Sequence, residues 1–142
     1  MSKAVIIYHT RSGNTKLLAE KIVKRLKSLN ITVEMYQDID FKNVDSIKDF
    51  NIIGLGSPTH YYNIAKEFRE FLLKITNFNL IGKKLIAFAT GSTKNGPSKI
   101  CNDITKILSP TGVDAMIKIG CIKKPTDEID SKIEKAIPMD IF

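Results

Sequence analysis

Apolar residues along this chain occur in two alternating arrangements: short unbroken runs, and stripes that recur every three or four residues. The runs predict strands, and five of them can be placed, at Lys3–His9, Ile31–Tyr36, Asn51–Gly56, Lys84–Thr90 and Ala115–Cys121. The stripes predict amphipathic helices at Asn14–Leu29, Ala65–Ile75, Lys99–Leu108 and Asp127–Ala136, with a brief helical turn at Val44–Lys48. This alternation is typical of an α/β domain whose parallel sheet is covered by helices on both faces.

The strand patterns also predict an order within the sheet. The first, third and fourth strands are apolar almost throughout, as interior parallel strands are. The second strand, Ile31–Tyr36, alternates between apolar and polar residues, and the fifth, Ala115–Cys121, does so weakly, as strands at a sheet edge do. We therefore expect the order 2-1-3-4-5. In that order ligands bind beyond the carboxyl ends of strands 1 and 3, where the direction of winding changes.

A segment rich in small polar side chains connects the first strand to the first helix. Thr10–Thr15 contains three hydroxyl groups, one glycine and one carboxamide. A helix N-terminus presents free backbone N–H groups and the positive end of the helix dipole, so a phosphate fits there without a lysine or arginine. Helix capping by Ser12 or Asn14 is the simpler alternative. Capping accounts for one such side chain, however, and not for four in six positions.

Two further polar loops are expected at the same end of the sheet. The loop Ser57–Asn63 follows the third strand and supplies flat side chains that can stack on a ring, namely His60, Tyr61 and Tyr62. It has no glycine, so Asn63 is the residue expected to accept a positive φ there. The loop Gly91–Gly96 follows the fourth strand and supplies glycines and polar groups suited to the edge of a heterocycle.

Composition narrows the range of functions. The chain has 142 residues, 43% of them apolar, and a net charge of +7, which predicts one globular domain, 1–142, with a basic surface. No apolar run is long enough for a membrane span and no signal-peptide pattern is present, so we expect a cytoplasmic location. The lysines are spread along the helices without an aromatic-studded motif, which argues against nucleic-acid binding. Cys101 and Cys121 form no closely spaced metal motif.

Other phosphate-binding motifs are missing. The dinucleotide fingerprint Gly-x-Gly-x-x-Gly is absent, although Asp38 and Asp40 resemble the acidic residue that follows it. A P-loop is excluded because Lys16 is misplaced and the segment has a single glycine. No cysteine lies in an anion-binding loop ahead of an arginine, which argues against a phosphatase of that type.

Three motifs at the ends of these strands resemble those of the flavodoxin family. They are Tyr-x-Thr-x-Ser-Gly-Asn-Thr at Tyr8–Thr15, Gly-Ser-Pro-Thr-x-Tyr at Gly56–Tyr61, and Ala-Phe-Ala-Thr-Gly-Ser at Ala87–Ser92. The resemblance covers essentially the whole chain and is to the short-chain type, since there is no room for a loop that splits the last strand. It implies a flavodoxin-like three-layer sandwich that binds FMN non-covalently and carries electrons. The alternative is a related FMN-dependent reductase or dehydrogenase acting on a quinone, a porphyrinogen or another small acceptor.

The resemblance also implies roles for the residues of the three loops. The phosphate would be bound by the first loop, through its side chains and backbone N–H groups: Thr10, Arg11, Ser12, Gly13, Asn14 and Thr15. The isoalloxazine would be flanked by Pro58, Thr59, His60, Tyr61, Tyr62 and Asn63, with Tyr61 or Tyr62 as the stacking ring. Its pyrimidine edge would be lined by Thr90, Gly91, Ser92, Thr93 and Gly96. We expect no catalytic residue, and a monomer whose partners are redox proteins, acidic ones among them.

Overall fold

Helices and parallel strands alternate along the chain in the computed structural model, which describes residues 2–142 and leaves Met1 outside. The strands are β1 (Lys3–Tyr8), β2 (Thr32–Gln37), β3 (Ile52–His60), β4 (Asn63–Ile64), β5 (Lys84–Gly91) and β6 (Asp114–Ile122). The helices are α1 (Asn14–Ser28), α2 (Lys66–Ile75), α3 (Gly96–Leu108) and α4 (Asp127–Ala136). Short 3-10 helices lie at Asp38–Asp40, Val44–Asp49 and Ser109–Thr111.

The five long strands form one sheet in the order β2-β1-β3-β5-β6, and every neighbouring pair is parallel. This is the order that the strand patterns predicted, and the fold class is confirmed. The edge strands behave as expected, because β2 is only partly buried and β6 alternates between buried and exposed residues. The sequence did not reveal β4, a two-residue strand that pairs antiparallel with the end of β3.

Alternate residues of the interior strands enter two separate cores, one on each face of the sheet. Val5 and Ile7 pack into the core beneath α2 and α3, whereas Ala4 and Ile6 pack into the core beneath α1 and α4. Both faces are apolar because both are covered, which explains why the strand sequences are nearly continuous apolar runs. Polar segments follow the carboxyl ends of these strands.

Strand β3 is longer than the sequence predicted. The expected loop at Ser57–Asn63 is wrong, because β3 continues to His60 and pairs Ser57 and Pro58 with β5. Proline is tolerated there because β1 no longer pairs with β3 beyond Gly56, so one side of the strand has become an edge. The buried Ser57 hydroxyl donates to the carbonyl of Pro58 and accepts the N–H of Ala65, which folds the following segment back onto the strand.

Helix α3 begins three residues earlier than its apolar stripe indicated, at Gly96 instead of Lys99. Pro97 occupies the first turn, where a missing N–H costs no hydrogen bond and a fixed φ favours the helix. The last residue of the third predicted loop is therefore the first residue of a helix.

Candidate functional site

The carboxyl ends of β1, β3, β5 and β6 surround a polar cleft of about 220 Å³. Its lining combines residues from all three predicted loops with one residue from the segment after β6: Ser12, Asn14, Pro58, Thr59, Thr90, Gly91, Ser92 and Lys123. None of the described residues in this lining carries a carboxylate. The donor set therefore suits an anionic or carbonyl-rich ligand.

The N-terminus of α1 opens onto the cleft. The residue before the helix is Gly13, whose φ of 94° is left-handed and suits glycine, and no side chain in residues 2–142 caps the helix. The N–H of Gly13 binds the Thr10 hydroxyl at 3.0 Å, so Thr10 orders the loop. Capping by Ser12 or Asn14 is thus not observed, and both residues line the cleft instead.

Threonine hydroxyls tie the three segments together behind the cleft. Thr15 and Thr90 are 1% and 3% exposed, and their hydroxyl oxygens are 2.8 Å apart. The Thr59 hydroxyl donates to the carbonyl of Thr90 at 2.9 Å. Because one threonine comes from each segment, the ends of β3 and β5 and the start of α1 form one hydrogen-bonded unit.

Glycines allow the second and third segments to approach each other closely. A Cβ at Gly91 would lie 2.7 Å from the Thr59 hydroxyl oxygen, and one at Gly96 would lie 2.9 Å from that of Thr93. Gly96 is buried in the first turn of α3 and Thr93 is exposed, and neither lines the cleft. A Cβ at Gly96 would also lie 3.3 Å from the Thr59 hydroxyl oxygen, so both glycines lie close to the β3 segment.

The hairpin between β3 and β4 carries both candidate stacking rings at its tip. Tyr61 and Tyr62 have φ values of 49° and 64°, so they, and not Asn63 as expected, take up the left-handed backbone. Asn63 bonds the Tyr61 carbonyl through its side-chain amide. The Tyr61 ring packs edge-on against His60, yet Tyr61 and Tyr62 are 84% and 58% exposed. Neither ring lines the cleft, and stacking by one of them stays a prediction.

Arg11 points away from the cleft toward the start of α2. Its guanidinium lies 3.6 Å from the carboxylate of Glu67, which also lies 3.9 Å from the ring of His9. The pKa of Glu67 is lowered, chiefly by a hydrogen bond from its own backbone and further by His9 and Arg11. The ring of His9 in turn bonds the carboxylate of Asp38 at 2.9 Å, and the Asp38 side chain is only 8% exposed. These contacts hold the first segment against the start of α2, and Arg11 does not line the cleft; a role for its backbone N–H in binding an anion stays a prediction.

Sequence reasoning missed one lining residue, Lys123. It follows β6, has a left-handed φ of 66°, and donates its backbone N–H to the carbonyl of Gly91 at 2.6 Å. The signal for it was available: in the predicted order the last strand lies beside the fourth, so the segment after it must reach the same edge. Within residues 2–142 no group of His, Cys, Asp or Glu side chains could hold a metal ion. In the same residues no helix is long and apolar enough to cross a membrane.

The family model described as flavodoxin domain matches residues 5–119. A flavodoxin from Clostridium saccharobutylicum is 32% identical over 69% of this chain and 61% of its own length. A flavodoxin from Aquifex aeolicus is 26% identical over 79% of this chain and 63% of its own length. The chain therefore spans about six-tenths of the length of these curated relatives.

Solved structures show the same similarity over a larger share of both chains. A flavodoxin from the domain Archaea superposes with a TM-score of 0.83 at 27% identity, covering 94% of this chain and 92% of its own. Flavodoxin 2 from Bacillus cereus superposes with a TM-score of 0.78 at 25% identity, covering 97% of each chain. The matched family model, the strand order and the cleft at the switch point agree, and the chain belongs to the flavodoxin family.

Proposed function

We propose that this protein binds FMN non-covalently in the cleft and carries electrons between redox partner proteins. The observation that carries the proposal is the cleft itself, which joins an uncapped helix N-terminus to two polar strand ends without any carboxylate in its lining. FMN has a dianionic phosphate at one end and a flat heterocycle at the other. The two ends of the cleft supply matching chemistry.

The phosphate end is formed by the first turn of α1. Its leading N–H groups have no acceptor within the helix, and its first turn contains no acidic residue. Ser12 and Asn14 line the cleft beside these groups, and the Thr10 hydroxyl can donate while its oxygen accepts from Gly13. Thr15 bonds Thr90, and with Thr90 as the donor of that bond the Thr15 hydroxyl proton is left for a phosphate oxygen. This donor set fits a terminal phosphate monoester.

The ring end is formed by Pro58, Thr59 and the stretch Thr90–Ser92. Gly91 exposes backbone, and the neighbouring hydroxyls can bond the carbonyl and N–H groups of a pyrimidine edge. Tyr61 and Tyr62 stand beside this end on a two-residue turn, where a small rotation of the hairpin would bring one ring over a flavin face. Bound FMN supplies one- and two-electron redox chemistry. The chain orients it, shields it from water on the sheet side and leaves an edge accessible to a partner.

The surface near the cleft favours an acidic partner. Lys94, Lys123 and Lys124 are exposed in the segments after β5 and β6, and no carboxylate among residues 2–142 lies within 4.0 Å of their ammonium groups. Opposite charge on a partner would raise the rate of encounter. A monomer in the cytoplasm is consistent with this role and belongs to the same proposal. The matched relatives do not favour the enzyme alternative.

A visible absorption spectrum of the purified protein tests the proposal. We expect an oxidised-flavin spectrum, one flavin per chain, and release of FMN on denaturation, identified by its mass. Reduced protein should pass electrons to an acidic acceptor protein faster than to a basic one at low salt, and the difference should shrink as salt rises. A colourless protein that fails to take up added FMN would contradict the cofactor assignment.

A further inference from the structure

Lys123 is the charged residue of the cleft. Of the described residues in the lining, the other seven are neutral: Ser12, Asn14, Pro58, Thr59, Thr90, Gly91 and Ser92. The lysine is held at this place by its backbone, since its N–H bonds Gly91 and its φ is fixed in the left-handed region. The backbone of Lys123 is therefore fixed at the rim of the cleft, and its exposed, flexible side chain carries the ammonium group.

The hydrogen bonds place Lys123 where the ring end of the cleft meets the phosphate end. The bond between Thr15 and Thr90 brings the first turn of α1 over the end of β5. Gly91, the next residue of β5, is paired with Ile122 and accepts the N–H of Lys123. The end of β6 therefore lies beside the end of β5, which the first turn of α1 contacts through Thr15. The flexible stem of Lys123 can reach an anion bound there.

Lys123 is also free of a competing carboxylate. Other lysines have such partners within 4.0 Å, as Lys21 has in Asp130 and Lys99 has in Asp103. For Lys123 no carboxylate of residues 2–142 lies within that distance. A phosphate monoester carries a charge of about −1.5 to −2 at pH 7 and would be the nearest counter-ion.

From this placement we propose that Lys123 pairs with the phosphate of the bound flavin and raises the preference for FMN over riboflavin. This inference rests on the proposed function. It adds a cation to a phosphate site that the helix N-terminus and hydroxyl groups otherwise form. The group is exposed, so the expected contribution is that of a solvated ion pair and depends on salt.

The test uses Lys123→Gln, with Lys124→Gln as the matched control. Lys124 is the next residue, is exposed and lies outside the cleft lining, so its substitution removes the same charge from the same segment. Dissociation constants for FMN and riboflavin are measured by fluorescence titration of the apoprotein at about 0.02 and 0.5 M salt. We expect K123Q to weaken FMN about 3- to 10-fold at low salt and to leave riboflavin within about 2-fold. K124Q should change neither ligand by more than about 2-fold, and Lys123→Arg should restore FMN affinity.

Three results overturn the inference while leaving the proposed function intact. They are an unchanged FMN affinity in K123Q, an equal loss for FMN and riboflavin, or an equal loss in K123Q and K124Q. Failure of the proposed function looks different, because the unaltered protein would then not prefer FMN to riboflavin. Urea unfolding of each apoprotein checks that the variants fold, and K123R reports the effect of charge where K123Q alters the loop.

Discussion

The hydroxyl oxygens of Thr15 and Thr90 lie 2.8 Å apart in a part of the molecule closed to solvent. One residue is in the first turn of α1 and the other near the end of β5, 75 positions along the chain. This hydrogen bond joins the first turn of α1 to the end of β5 beside the cleft. It therefore links the stability of the fold to the geometry of the cleft.

Thr15→Val and Thr90→Val should each lower the free energy of unfolding by about 1–3 kcal/mol, since each leaves the partner hydroxyl buried without its hydrogen bond. The double variant should recover part of this loss, because two apolar groups of the same shape need no partner. Urea unfolding of the apoproteins measures all three. Strictly additive losses, or single losses below about 0.5 kcal/mol, would contradict the assignment.

The turn at Tyr61–Tyr62 should be unfavourable for the apoprotein. Two positive φ values in succession are those of a type I′ hairpin, which favours Asn-Gly, and a left-handed backbone costs an ordinary residue about 1–2 kcal/mol. Replacing the pair by Asn-Gly should raise apoprotein stability by about 1 kcal/mol or more. It should also weaken FMN binding, since the stacking ring would be lost.

Single substitutions distinguish the two rings. Tyr61→Asn and Tyr62→Asn each keep a residue that tolerates the left-handed backbone, and the one that brightens the fluorescence of bound flavin identifies the stacking tyrosine. If neither changes affinity or fluorescence, the ring lies elsewhere. A destabilised apoprotein in the Asn-Gly variant would show that the turn is not strained.

Alkaline pH should destabilise the protein through Cys101. Burial raises the pKa of this thiol from 9.0 to about 11. Below pH 9 both the folded and the unfolded thiol are protonated, whereas between pH 9 and 11 only the unfolded thiol ionises, so stability falls as pH rises. Each unit of difference between the pKa of the folded and the unfolded thiol is worth about 1.4 kcal/mol. The free energy of unfolding should therefore fall by roughly 2 kcal/mol by about pH 11. Cys101→Ala should show a correspondingly smaller loss when urea unfolding is compared at pH 8 and pH 11, and parallel losses would contradict this.

The net charge of +7 should ease reduction of the bound flavin. Uptake of the second electron adds negative charge beside a positive surface, so its potential should be less negative than in acidic flavodoxins. The effect should weaken with salt, because the Debye length falls from about 10 Å at 0.1 M to about 3 Å at 1 M. Potentiometric titration at both salt concentrations measures it. Lys94→Gln should lower the potential more than Lys27→Gln, because Lys27 lies at the far end of α1. A potential as low as that of acidic flavodoxins, and insensitive to salt, would contradict the claim.

Most of the fold could be predicted because its signals are local. The runs at β1 and β5 are apolar on both faces, and the stripe Leu18, Ile22 and Leu26 defines the buried side of α1. The end of β3 could not be predicted, because Ser57 and Pro58 have turn-forming character and become strand only by pairing with β5. That pairing is a tertiary effect, and no pattern within the segment reports it.

The same distinction between local and tertiary signals applies to the candidate site. Part of the cleft lining could be predicted from composition, since Ser12 and Asn14 lie in a polar segment between a strand and a helix. Lys123 was missed because a lone lysine after an edge strand resembles any solvated surface residue. Intrinsic preference predicts the left-handed backbone at Asn63, whereas the pairing of His60 with Asn63 requires it at the two tyrosines between them.

The central claim is that the segment Thr10–Thr15 binds the phosphate of FMN, and titration of apoprotein with FMN and with riboflavin tests it most directly. We expect one FMN per chain, bound far more tightly than riboflavin. Ser12→Ala combined with Thr15→Ala should weaken FMN by more than about 1.5 kcal/mol, since bonds to a charged group are typically worth about 1.5–3 kcal/mol each. Riboflavin binding should change little. Equal affinity for the two ligands, or a loss of no more than about 1 kcal/mol in the double variant, would contradict the account.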